Sequence, residues 1–175
     1  YQMIACELEI TANGNLIISS EGSLNIAGKI TNYGNENQFV VDNKATVIQK
    51  KDVANAGPAT VKVNSAPLYR QDYTLWGSPV IEQNLRAFSP QTLYNRFSSY
   101  DETIGTVGDY VQELFTNADI ATKNFQSGKG YLIRMPNNWT EYVNDAIAGT
   151  SYQGIFKGVP QNGPIVMPIS KVNGG

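Results

Sequence analysis

The chain has 175 residues, enough for one or two compact domains whose cores need neither disulfides nor metals. Thirteen basic and fifteen acidic residues give a net charge of −2, and no run of Lys and Arg is long enough to follow a phosphate backbone, so we expect no nucleic-acid partner. With no histidine and one cysteine, Cys6, the sequence excludes an internal disulfide, the usual zinc sites and hydrolases that need a histidine base.

The residue types favour strands and turns over helices. Glycine, tyrosine, asparagine, threonine, serine and valine are frequent, and charged residues make up only 16% of the chain. No apolar run approaches the roughly 18 residues of a membrane span. We therefore predict a mainly all-β protein without a membrane span and without a cofactor.

The first third of the chain repeats with a period of about 23 residues, a length typical of one unit of a stacked repeat. Apolar pairs such as Leu16 and Ile18 recur at a regular shorter spacing, which predicts three short strands in each repeat. Stacked repeats would place each inward position, Ile18 and Val47 among them, on its counterpart one turn later. We predict a short right-handed parallel β-helix over residues 1–64. The positions that match when the sequence is shifted by one repeat are Leu16, Ile18, Gly22, Ser23, Leu24, Ile30, Asn32 and Gly34 with Phe39, Val41, Ala45, Thr46, Val47, Val53, Asn55 and Gly57.

Turn residues separate these strands, as at Asn13-Gly14 and Glu21-Gly22. A stack of β-hairpins is the alternative interpretation of such turns, although hairpins have no reason to keep the same register from one repeat to the next. Asn32 and Asn55 suit corner positions, with an inward-facing amide ladder as the other possibility.

One corner of the repeat carries several oxygen-bearing side chains. Asn35, Glu36, Asn37 and Asp42 lie close in sequence and are the types of residue that bind calcium. Because turn formation explains the same residues, they are weak calcium candidates, and we predict no other metal site.

Large aromatic residues become frequent after residue 64, and the repeat ends there. Strand-like segments such as 72–76, 130–134 and 151–156 are bounded by Gly, Pro or Asn. They predict a β-sandwich-like unit over residues 65–175, truncated at its C-terminus. Helical spacing of apolar side chains predicts one short helix in this unit, from Val107, Val111, Leu114 and Phe115.

Several segments resemble a module of large secreted proteins of Bacteroidetes, particularly flavobacteria. They are Asp72-Tyr73-Thr74-Leu75-Trp76-Gly77-Ser78-Pro79-Val80, Phe88-Ser89-Pro90, Asn95-Arg96-Phe97, Gly128-Lys129-Gly130-Tyr131-Leu132-Ile133-Arg134 and Gly158-Val159-Pro160-Gln161-Asn162-Gly163. The resemblance implies a stalk or scaffold upstream of a C-terminal sorting domain for the type IX secretion system, which exports adhesin-like proteins. It implies a secreted or outer-surface location, with the secretion machinery and other domains of the same long chain as partners. It supplies no catalytic residues.

The sequence offers little catalytic chemistry. Ser127-Gly128-Lys129-Gly130 lacks the spacing of a phosphate-binding loop and predicts a turn. The acidic residues Asp101, Glu102, Asp109 and Glu113 are better explained as solvated than as a catalytic carboxylate pair. We expect no enzymatic activity.

Trp139 is the strongest ligand-binding candidate. It lies in a predicted loop, where an aromatic ring can stack on a sugar, whereas Trp76 lies in a strand and is expected in the core. We predict a non-catalytic structural or interaction module of a bacterial surface protein, adhesin-like, with surface glycans as possible ligands. The alternatives are a carbohydrate-binding module and a non-catalytic fragment of a larger secreted enzyme.

Overall fold

A computed structural model of the chain describes residues 2–100 and 115–168, to which every structural statement refers. These residues are mainly β with two short α-helices, which confirms the mainly all-β prediction. The elements are β1 Gln2–Ala5, β2 Leu8–Ile10, β3 Leu16–Ile18, β4 Ser23–Ile26, β5 Ile30–Asn32, β6 Phe39–Val41, β7 Thr46–Gln49, β8 Ala59–Leu68, β9 Tyr73–Trp76, α1 Leu85–Phe88, a 3₁₀ turn Tyr94–Arg96, β10 Phe97–Ser99, α2 Asn117–Thr122, β11 Tyr131–Arg134 and β12 Thr150–Gly158.

The chain forms two compact units. The first comprises Tyr1–Ser65, Ser78–Gln83 and Gln153–Pro164, and the second comprises Ala66–Gly77, Asn84–Tyr152 and Ile165–Gly175. The structure thus assigns two later segments to the first unit that the predicted boundary between residues 64 and 65 did not include.

The N-terminal strands of the first unit pair in parallel with strands about one repeat later. The strand orders are β1-β4-β7, β2-β5 and β12-β8-β6-β3. In the third sheet Leu16 lies opposite Phe39, one full repeat later, as the sequence shift predicted. Leu24 lies opposite Val47 in the first sheet with the same offset. The chain therefore passes through three sheets in turn before it returns to the first.

Alternation along these strands builds the core of the first unit. In β4, Leu24 and Ile26 are fully buried, and the alternate positions Ser23 and Asn25 are half-buried. Ile18 is buried, and Val47 packs against the same cluster, as expected for inward positions. The buried members of this cluster are Ile10, Ile18, Leu24, Ile26, Ile30, Phe39, Val41 and Ala59.

The repeat loses its regular spacing in the second sheet. The shift by one repeat predicted Asn32 opposite Asn55, but the structure instead pairs Thr31 with Ala56, so the offset is longer there than one repeat. The extra residues lie between β7 and Ala56. Gly57 follows directly with a φ of +79°, which favours glycine, and the next pairing, Val40 with Thr60, has an offset shorter than one repeat.

One end of the first unit is covered by its own later segments. Val80 bridges to Pro160, and the Ile81 N–H donates to the Val159 carbonyl at 3.0 Å. The Asn162 side chain donates to the Lys51 carbonyl at 2.8 Å. The Asn162 bond satisfies a backbone carbonyl at this end, and the other two contacts hold the covering segments together.

The second unit contains a three-stranded antiparallel sheet in the order β10-β11-β9. Tyr131 lies opposite Trp76 in this sheet. Asn84 caps α1 through its side-chain oxygen, and Thr116 and Asp119 form a reciprocal capping box at the start of α2. Within the described ranges no helix is long and apolar enough to cross a membrane. Three positions of the predicted helix, Val107, Val111 and Leu114, lie outside the described residues.

Candidate functional site

The corner proposed for calcium is built as a hydrogen-bonded turn. The backbone oxygen of Asn35 accepts from the Asn32 side chain at 2.9 Å and from the Gln38 N–H at 3.1 Å. The side-chain oxygen of Asn35 accepts from the Asn37 N–H at 2.9 Å. The structure therefore uses the oxygens of Asn35 to fix the turn.

Both carboxylates of this region pair with lysines. Glu36 lies 3.2 Å from the Lys157 Nζ, and Asp42 lies 2.8 Å from the Lys62 Nζ. A hydrogen bond from its own backbone N–H, with a smaller contribution from Lys157, lowers the pKa of Glu36 below the ordinary value. The described part of the chain holds no group of three or more His, Cys, Asp or Glu side chains suited to a metal. Calcium at Asn35, Glu36, Asn37 and Asp42 stays a prediction.

Trp139 is half-buried and held on two sides within the second unit. Its Nε1 donates to the Thr150 carbonyl at 3.1 Å, and its ring meets the edge of Tyr152 with centroids 5.4 Å apart. The Tyr152 hydroxyl donates in turn to the Phe88 carbonyl at 2.8 Å. These contacts fix a partly exposed indole in one orientation.

Trp139 lies at the margin of the aromatic core of the second unit. Trp76 is 5% exposed and meets Phe88 with centroids 5.1 Å apart, so it packs in the core as the sequence predicted. The cluster continues from Phe88 to Phe125 at 5.2 Å and from Phe125 to Tyr131 at 5.0 Å, with edge-to-face geometry. The core thus anchors Trp139 through Tyr152.

A buried arginine on the antiparallel sheet was not predicted from the sequence. Arg134 is 5% exposed and donates to the Gln71 side chain at 3.0 Å and to the Asn137 side chain at 3.2 Å, while its Nε has no hydrogen-bond partner among the described residues. Burial, and to a lesser degree the charge of Arg96, lower the pKa of the Arg134 guanidinium. Strand alternation alone does not reveal this arginine, because its amide partners come from loops outside its strand.

The other predicted features have local explanations or lie outside the described residues. The segment 127–130 forms a turn before β11, closed by a bond from the Lys129 N–H to the Gln126 carbonyl at 3.1 Å. The acidic residues considered for a carboxylate pair, Asp101, Glu102, Asp109 and Glu113, lie in the range 101–114, outside the described residues.

The most extended candidate site is the edge formed by β1, β2 and β3, which we name the open edge. Each of these strands stands at the end of its sheet and has a strand neighbour on one side only among the described residues. A groove of about 380 Å³ lies beside β1 and β3 and is lined by Met3, Leu16 and Ile18, among others. Exposed aliphatic side chains accompany it, with Ile4 76% and Ile17 52% exposed.

The sheets and the open edge define the class of this chain as a mainly β domain whose first unit stacks short parallel strands. The chain belongs to the family described as a domain of unknown function, DUF8693, whose model matches residues 1–175. No curated protein and no solved structure matches the chain significantly.

Proposed function

We propose that the chain is a non-catalytic structural and interaction module of a secreted or cell-surface bacterial protein. In this proposal the three sheets of the first unit form a short right-handed β-helix through their parallel pairs, and the second unit is sandwich-like. The observation that carries the proposal is the stacking of strands across the first unit at offsets near one repeat, as between Leu24 and Val47. Each turn of such a stack adds about 4.8 Å of length, so it suits a stalk that presents other domains.

The proposed location rests on the resemblance to secreted flavobacterial proteins. In this proposal the type IX secretion system exports the full protein, and the module serves an adhesin-like chain on the outer surface. The exposed loop 141–148 offers a region of the second unit that an antibody can reach in the folded protein.

Antibody labelling of the encoding bacterium tests the location. Antibodies raised against the purified chain should label intact cells by flow cytometry. A strain with a disrupted type IX translocon should be labelled only after permeabilisation. Labelling of wild-type cells that always requires permeabilisation would contradict the proposed surface location.

Trp139 supports a second candidate function, carbohydrate binding. Its half-buried indole is fixed by Thr150 and Tyr152, and a fixed aromatic ring is a common platform for a sugar. A glycan array with the purified chain tests this function.

Two substitutions separate stacking from structural support. Trp139→Phe keeps an aromatic face and loses the Nε1 hydrogen bond to Thr150, whereas Trp139→Ala loses both. If Trp139 binds sugars, the Phe variant should retain most binding and the Ala variant should lose at least about tenfold, by analogy with nucleic-acid bases, whose stacking on an aromatic side chain is worth roughly 1–3 kcal/mol. A wild-type chain that binds no glycan, or variants that bind equally well, would remove this candidate.

A further inference from the structure

The open edge presents unpaired backbone groups in each of its three strands. In β3, the Leu16 N–H donates to the Gln38 carbonyl, and the Ile18 carbonyl accepts from the Asp42 N–H. Residues of a parallel strand alternate between its two sides, so the N–H and C=O of Ile17 point away from β6.

The other two strands of the open edge follow the same alternation. In β2, Leu8 and Ile10 bond to the side of β5, which leaves the backbone groups of Glu9 outward. In β1, the Ala5 carbonyl accepts from the Ala27 N–H, which leaves those of Ile4 outward. All three sheets therefore end on the same side in groups that can pair with a further strand.

Two side chains of the first turn are more exposed than their partners one turn later. Met3 is 43% exposed, whereas its partner in register, Leu24, is fully buried. Leu16 is half-buried, whereas its partner Phe39 is 1% exposed. Leu24 and Phe39 lie in strands with a strand neighbour on each side, whereas Met3 and Leu16 lie in end strands that have one neighbour among the described residues.

The open edge also lacks the usual protection against strand pairing. Natural edge strands commonly carry lysine or proline, which discourage pairing with another strand. Strands β1, β2 and β3 contain neither, and Glu9 is their one charged residue. The opposite end of the unit is instead covered by the segments around Val80 and Pro160.

We propose that the open edge binds one further turn of β-strand chain, with three short strands that run parallel to β1, β2 and β3 and carry aliphatic residues two positions apart. Continuity with the stacking inside the unit argues for this occupant, because Met3 on Leu24 and Leu16 on Phe39 already pair in this way. A lone strand would leave two of the three sheets open. This inference rests on the proposed structural function and specifies its partner.

A fused turn made from the chain's own sequence tests the inference. A duplicate of the segment 2–22 is placed directly before Gln2 of the whole chain, which reproduces the spacing that pairs Gln2 with Ser23. If the duplicate docks, the amides of Ile4, Glu9 and Ile17 should exchange with solvent at least about tenfold more slowly than in the unfused chain. Hydrogen exchange followed by NMR gives the rate for each amide.

The matched control carries the same duplicate with its copies of Ile10 and Ile18 replaced by Asp, which cannot be buried without cost. Slower exchange with the duplicate and unchanged exchange with the control support the inference. Equal exchange in the fusion, the control and the unfused chain overturns it. Protection in the unfused chain that rises with protein concentration, with dimers in sedimentation, also overturns it because a second copy would then be the occupant. Either failure leaves the antibody result on location unaffected.

Discussion

Replacement of Leu24 by alanine measures the stacking of the first unit most directly. Leu24 is fully buried in β4, with Met3 opposite it in one neighbouring strand and Val47 in the other. The substitution removes three buried carbons, worth about 0.8 kcal/mol each, and the remaining cavity raises the expected loss of unfolding free energy to about 2–5 kcal/mol. For a chain of this size that loss lowers Tm by roughly 5–15 °C.

Urea denaturation followed by circular dichroism is the assay for Leu24→Ala. The urea concentration at the midpoint should fall, while the slope of unfolding free energy against urea concentration stays unchanged, because the same surface is exposed on unfolding. The matched control is Ile17→Ala, an aliphatic truncation in β3 at a position that is 52% exposed, which should change the unfolding free energy by less than about 1 kcal/mol. Equal losses in the two variants would refute the assignment of Leu24 to a stacked core.

Two further predictions concern the turns of the first unit. Gly57→Ala should destabilise the chain by at least about 1 kcal/mol, because its φ of +79° disfavours a side chain and an added Cβ would meet the Asn32 carbonyl. Gly77→Ala, whose added Cβ would lie 4.0 Å from the Lys129 carbonyl oxygen, should be near neutral in the same urea denaturation. Lys157→Met should raise the pKa of Glu36 in an NMR titration yet leave it below the ordinary value, because the backbone hydrogen bond remains. Because folding lowers the pKa of Glu36, its ionised carboxylate stabilises the fold at neutral pH, and this stabilisation is lost as the pH falls through the folded pKa. The Lys157→Met variant should therefore lose less unfolding free energy on acidification than the wild type. An unchanged pKa of Glu36 in the variant would contradict the pairing.

The parallel stacking of the first unit was predictable because its signal is periodic. Aliphatic residues at alternate positions, recurring after one repeat, predicted that Leu16 would meet Phe39 and that Leu24 would meet Val47, and both pairs form. Because this pattern reflects burial in every strand, it can still be recognised where one turn differs in length. The offset is longer in the second sheet, between Thr31 and Ala56, and shorter in the third, between Val40 and Thr60, yet the strands still pair in parallel.

The covering segments of the first unit were not predictable from the same pattern. Residues 153–158 join that unit as part of β12, which lies beside β8 in the third sheet, and the bond from the Lys157 N–H to the Gln83 side chain at 2.7 Å links residues 78–83 to them. Contacts between segments so far apart along the chain leave no local periodicity in either segment. The same reason hides Arg134, whose burial depends on amide groups of Gln71 and Asn137.

Trp139 shows how far the candidate site could be predicted. Its loop sequence favoured partial exposure, which the structure has, but not the hydrogen bond to Thr150 or the ring contact with Tyr152. These partners follow along the chain after an intervening loop, and nothing in the local sequence fixes their distance. The sequence therefore proposes the residue, and the structure supplies the rigidity on which any ligand role depends.

The regular offset of the first unit ends at the corner that holds Asn32. Asn32 is 4% exposed, and its side chain donates to the Asn35 carbonyl at 2.9 Å and to the Pro58 carbonyl at 2.7 Å, while its oxygen accepts from the Gly34 N–H. A buried amide is tolerated because these bonds replace its hydration. The bond to Pro58 links this corner to the next passage of the chain, where the offset is longer between Thr31 and Ala56 and shorter between Val40 and Thr60. At the open edge the offsets of all three strands stay close to one repeat, which is the regularity that the proposed further turn requires.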